Sequence, residues 1–157
     1  MLNLLSESDI VDYQDMVYNL TMEYASKVIG DDHKNVKVMF SNKLNGANGR
    51  CYPFLRTIIY CDGYMKLNRN NSAAIKYTVV EECAHLIRLP HDKIFHKICR
   101  DLGCDVSTPP AGIKYYWKYF KQCGTCGDGK YYNHKPQNKL CKKCGNESTI
   151  FFGKVVE

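Results

Sequence analysis

The sequence predicts an α+β domain over residues 1–106, a linker over 107–114 and a small cysteine-built hairpin module over 115–157, and three observations predict it. Helical and strand periodicities alternate through the first two thirds of the chain, the pattern of a mixed fold. Two CxxC pairs, Cys123 with Cys126 and Cys141 with Cys144, stand in the last third. The charge balance also breaks there: residues 1–110 hold 13 Lys+Arg and 13 Asp+Glu, whereas residues 111–157 hold 9 and 3. The whole net charge of +6 therefore belongs to the cysteine-bearing end.

With 157 residues, 45% of them hydrophobic and 24% charged, the chain has the composition of a protein that buries a core. That excludes wholesale disorder, fibrous repeats and large barrel folds. No apolar run approaches the roughly 20 residues that a bilayer span needs, and the first ten residues carry Glu7 and Asp9 without a basic start. The expectation is a cytoplasmic, nucleoid or nuclear protein, neither secreted nor in a membrane. Nine cysteines in such a compartment predict reduced thiols, some of them holding metal.

Taken in order, residues 6–29 place Ile10, Tyr13, Val17, Leu20, Tyr24 and Val28 at helical spacings, with Ser6 and Asp9 in a box-like cap and Gly30-Asp31-Asp32 as the stop. Residues 36–40 read as a short strand, 42–50 as a turn-rich connection and 56–61 as a second strand. The polar stretch Asn68 to Ser72 caps a helix expected over 73–89, where Pro90 stops it. A further helix is expected from His91 or Asp92 to Leu102, closed by Gly103, and the segment DVSTPPAG at 105–112 reads as the linker.

The segment TVVEECAHLIRLPHDKIF at 78–95 carries the chemistry. On a helix, Glu81 and His85 are one turn apart and share a face, with Glu82 beside Glu81. Two ligands at that spacing with an adjacent Glu are the arrangement in which a helix holds a catalytic metal and the free Glu activates water. His91 follows His85 by six residues, just past Pro90, where a turn returns it as a third ligand. Val79, Val80, Leu86 and Ile87 are the apolar positions expected to bury the helix, whereas Cys83 and Ala84 point elsewhere.

The stretch EECAHLIRLPHDKIFHKICRDLG resembles the active-site segment of the SprT-like metalloproteases, the Spartan family, and of the related WLM proteases, where an HExxH helix precedes a third His in a His-(Gly/Asp)-x-x-Phe pattern. The short spacer and PHDKIF are closer to the WLM arrangement. The similarity runs loosely over about residues 36–150 and includes the C-terminal cysteine pairs. It implies a minimal zincin-like fold in which His85 and His91 are metal ligands, Glu82 is the general base and Phe95 is a packing residue. Glu81 stands where the family has its first His, so this chain reads EExxH. Two His and one carboxylate are an accepted set for zinc and also suit iron or manganese.

The implied activity is metal-dependent endopeptidase cleavage of DNA-bound or DNA-crosslinked proteins. An inactive EExxH module that binds nucleic acid or a protein partner is the competing reading. His96 is expected to take a surface or packing role and His33 to be exposed. Tyr115 and Tyr116 are donors to consider for a peptide oxyanion, with aromatic packing the expected role of both.

Two CxxC pairs separated by fourteen residues place four thiolates tetrahedrally and predict a structural zinc in a zinc ribbon, with residues 148–156 as a further strand. Lysines interleaved with tyrosines across this module suit phosphates and unpaired bases. Lys130, Lys139, Lys142 and Lys143 are the nucleic-acid candidates, with single-stranded or junction DNA as the expected partner.

Overall fold

The computed structural model describes residues 7–44, 47–132 and 135–156. The cap residue Ser6 and the side chains of Asp9, Ile10, Trp117 and Lys118 lie outside what is described, as do Asn133 and His134.

Helix α1 (Glu7–Ile29) buries Tyr13, Val17, Thr21, Tyr24 and Ala25, a single stripe at helical spacing. Gly30, at φ +60°, turns the chain into a 3-10 segment over Gly30–Asn35. Strands β1 (Lys37–Phe40), β2 (Gly49–Tyr52) and β3 (Thr57–Tyr60) form a mixed sheet in the order β1-β3-β2, with β3 parallel to β1 and antiparallel to β2. The inward residues of β3, Ile58 and Tyr60, are fully buried, and the Tyr60 hydroxyl lies 2.8 Å from Thr21 Oγ1 on α1.

A short helix α2 (Asp62–Leu67) leads to α3 (Ser72–Ala84), whose N-terminus is capped by Asn71, its side chain accepting from the Ala74 amide at 3.1 Å. Helix α4 (Lys93–Asp101) is capped by Asp92, which accepts from the Phe95 amide at 3.0 Å. The core of this unit runs through Val17, Ile58, Tyr64, Ile75, Val79, Val80 and Phe95.

The second unit is a three-stranded antiparallel sheet in the order β5-β4-β6, built from β4 (Tyr115–Cys123), β5 (Gly129–Tyr132) and β6 (Ser148–Val156). Ile113 belongs to the first core, and the buried Asn68 side chain grips Lys114 on both sides, accepting from its amide at 2.8 Å and donating to its carbonyl at 2.7 Å.

Two sequence expectations need correction, and one further element is added. Residues 49–52, half inside the expected turn, form β2, a short edge strand that needs no apolar run because only alternate residues are partly covered. Residues 62–67, following the second strand, are helical. Helix α3 ends at Ala84, five residues before the expected stop. Its last turn tightens, with the Leu86 amide bonding to the Cys83 carbonyl and Ile87 to Ala84, so Ile87 is exposed while Leu86 stays buried.

Candidate metal centres

The early end of α3 positions the first centre. Glu81 sits in the last full turn, His85 at the cap, and the chain folds back through Pro90 to deliver His91 beside them. Ligand atoms of Glu81, His85 and His91 all lie within 4.8 Å of one another. The Nε2 atoms of His85 and His91 are 2.8 Å apart, and His91 Nε2 is 3.7 Å from Glu81 Oε1. Tetrahedral zinc with nitrogen ligands at about 2.0–2.1 Å would separate them by about 3.3 Å, so these side chains fit a divalent cation after a small adjustment.

Two features hold the imidazoles. His85 Nδ1 donates to the Arg88 carbonyl at 3.0 Å, which fixes the tautomer and leaves Nε2 its lone pair. The fully buried Phe95 ring stacks on both, at 4.6 Å from His85 and 4.5 Å from His91, as a packing residue beneath the pair. Burial pulls the His85 pKa down, the Arg88 carbonyl opposing and the His91 charge adding to the fall. Burial raises that of Glu81, with His91 and then His96 opposing.

Glu82 lies on the next face of the helix and is 5% exposed, with Oε2 buried and lacking a hydrogen-bond partner. Burial, reinforced by the Glu81 charge and opposed by Arg50, pushes its pKa up to about 8. Its side chain presses on the β2 backbone, where a Cβ on Gly49 would come within 2.7 Å of Glu82 Cγ and 2.9 Å of Oε1. Glu81 and Glu82 line one cleft of about 350 Å³, closed by Asn48 and the first residue of β2, Gly49, and by Pro109, Ile113 and Tyr115 from the far side.

The second centre comes from two knuckles of the same build, CGTCGD and CKKCGN. In each, the glycine after the second cysteine takes positive φ, +74° at Gly127 and +78° at Gly145, and returns its amide to the carbonyl of the first cysteine. The sulfurs of Cys123 and Cys144 are 3.4 Å apart and those of Cys126 and Cys141 3.6 Å, against about 3.8 Å in tetrahedral zinc thiolate. Backbone amides, first that of Cys126, lower the Cys123 thiol to about 6, and those of Cys144 and Lys143 lower Cys141. Four cysteines so placed can bind a structural zinc, with no position left for chemistry.

Lys130, Lys139, Lys142 and Lys143 are all exposed. Lys139 also lines a groove of about 580 Å³ with Lys135, Tyr119, Ser148 and Thr149. Lys121, part of the same basic run, is buried and spends its ammonium on the carbonyls of Asn138 and Leu140 at 2.7 and 2.6 Å.

His96 is half-buried and packs edge-on against Phe95, and His33 is partly covered in the 3-10 segment with Nδ1 at 2.8 Å from the Gly30 carbonyl. Gly49 and Asn68 carry no sequence signal as site residues, since an isolated glycine and an asparagine read as turn chemistry. None of the described helices is long and apolar enough to cross a membrane. No family model, curated protein or solved structure matches the chain.

Proposed function

We propose that the chain is a metal-dependent endopeptidase of the SprT-like kind, with a zincin-like first unit, acting on proteins bound or crosslinked to DNA and using its ribbon to hold single-stranded or junction DNA. One observation carries the reading: Glu81, His85 and His91 converge beside a cleft that is also lined by Glu82, whose buried Oε2 has no hydrogen-bond partner. Zinc is the proposed metal in both centres.

Glu81, His85 and His91 would hold a divalent cation, which would supply Lewis acidity toward a bound water and a peptide carbonyl. The side chains of the protein do the rest. Glu82 accepts a proton from the attacking water through its carboxylate and returns it to the departing amine, the ordinary cycle of a general base and acid. Phe95 and the Arg88 carbonyl keep both imidazole nitrogens aimed at one point. Gly49 lets the backbone approach close enough to leave Glu82 room. The exposed lysines and the Tyr119 groove provide phosphate contacts and an aromatic face for the DNA.

The deciding experiment measures metal per chain and cleavage of a protein crosslinked to single-stranded DNA. Wild type should hold about two metals and cleave, and Glu82→Gln should keep both metals and lose cleavage. A single metal indifferent to His85→Ala would end the peptidase reading. The carboxylate at the first-ligand position is what favours the second reading, an inactive binding module; an inert wild type that gains metal and activity on Glu81→His would establish it.

A further inference from the structure

Tyr115 and Tyr116 open β4, and alternation along the strand sends them to opposite faces. Tyr116 packs on α2 so closely that a Cβ on Gly63 would lie 2.3 Å from its ring. Tyr115 turns the other way, into the wall of the cleft that holds Glu81 and Glu82.

The hydroxyls around it are committed. Tyr77 donates to the Val106 carbonyl at 3.1 Å, and the Thr78 hydroxyl donates to Tyr64, which itself donates to the Ala74 carbonyl. The Tyr115 hydroxyl has no hydrogen-bond partner among the described residues, and at 38% exposure the residue is open to whatever enters the cleft.

Its position is also fixed. The preceding residue, Lys114, is gripped at both amide and carbonyl by Asn68, itself 1% exposed, and the Tyr115 ring leans on the fully buried Tyr64 with centroids 6.4 Å apart. A buried two-point clamp on a neighbouring peptide and an aromatic support make an oriented donor, the condition under which a hydrogen bond stabilises charge developing on a reacting oxygen.

We propose that the Tyr115 hydroxyl donates a hydrogen bond to the carbonyl oxygen of a peptide bond held in the cleft, so that the first strand of the ribbon completes the catalytic site of the other unit. No proton leaves the tyrosine; the bond strengthens as the carbonyl oxygen gains negative charge and is released when the carbonyl reforms. Asn48 is the other lining side chain whose donor has no partner among the described residues, but it has no such clamp and sits one residue from the described end of its loop.

This inference rests on the peptidase reading of Glu81, Glu82, His85 and His91. The test uses the full chain loaded with zinc, fluorescein-labelled casein as substrate, and a peptide phosphonamidate as a mimic of the tetrahedral oxyanion. Tyr115→Phe should lower kcat about 10²-fold, the scale for loss of one oxyanion donor, with KM and metal content unchanged. It should weaken phosphonamidate binding by a similar factor and leave binding of the parent peptide unaltered. Tyr116→Phe should match wild type in all five measurements. A Tyr115→Phe enzyme with wild-type kcat and phosphonamidate affinity would overturn the proposal, as would a loss confined to KM, or an Asn48→Ala variant that takes the kcat loss in its place. A fully loaded wild type that cleaves nothing would overturn the peptidase reading and this role with it, whereas an active wild type with an indifferent Tyr115→Phe would overturn this role alone.

Discussion

The two candidate metal centres are held by opposite means. The Glu81, His85 and His91 set hangs on a unit with an extensive apolar core, and the side chains beneath it, Phe95 above all, are buried in that core. In the ribbon, the described side chains that are buried are few: Phe120, Lys121, Cys123, Pro136 and Cys141. Two of those five are thiols of the centre itself. The first unit therefore supports its candidate ligands from a packed core, while the ribbon, with so little apolar burial, is expected to draw on a metal held between its two knuckles. A site that must leave a coordination position open has to borrow its rigidity from the fold around it, whereas a closed site can supply rigidity to its surroundings.

The largest effect expected from this contrast is on chelation. Zinc binding in small thiolate modules is worth on the order of 10–16 kcal/mol, so stripping the metal, or Cys123→Ser, should unfold residues 115–156 while the first unit stays intact. Hydrogen exchange reads both at once. Amides of β4 and β6 should lose protection and those of β3 should keep it, and equal protection in the two sheets would break the comparison.

Next comes the support beneath the histidines. Phe95→Ala should destabilise the first unit by about 3–5 kcal/mol in urea unfolding, the range for emptying a buried aromatic site. It should also weaken the metal held by His85 and His91 without touching the thiolate metal. A variant that keeps both metals at full affinity would show that the imidazoles need no platform.

The third prediction separates the base from the ligands. Gly49→Ala places a methyl 2.7 Å from Glu82 Cγ, against backbone that is paired to β3 and cannot withdraw freely. Peptidase activity should fall by roughly 10²-fold or more, the range for losing a general base, with metal content unchanged. Retained activity would mean that Glu82 has slack the structure does not indicate.

The smallest expected effect on the fold is at the surface of the ribbon. Neutralising Lys130, Lys139, Lys142 and Lys143 together should leave the metal and the sheet in place. The salt dependence of single-stranded DNA binding should flatten by about 3 in log–log slope, at about 0.7 for each phosphate contact. An unchanged slope would move the DNA elsewhere or remove it.

Much of the first unit was legible because burial imposes a period: Tyr13, Val17 and Tyr24 announce α1, and Ile58 with Tyr60 announce the inner face of β3. β2 was not legible, since an edge strand of four residues with partial cover leaves no pattern to read. The end of α3 was misplaced because Pro90 is a strong stop, whereas the stop at Ala84 comes from backbone and imidazole hydrogen bonds that any residue sequence can hide. The sequence could not choose between Tyr115 and Tyr116 either. Alternation puts neighbours on opposite faces, but only the position of β4 against α2 says which face meets the cleft.

By itself, the sequence determined the donor types, their spacing along the chain, the cysteine knuckles and the segregation of charge, because these are local properties of neighbouring residues. The tertiary structure alone decided that Gly49 makes room for Glu82, that Lys121 is buried rather than free, and that Asn68 clamps the strand carrying Tyr115 into the cleft. Each of those depends on residues 17 to 46 positions apart in sequence meeting in space, and no periodicity of a single segment encodes which two distant segments will pack.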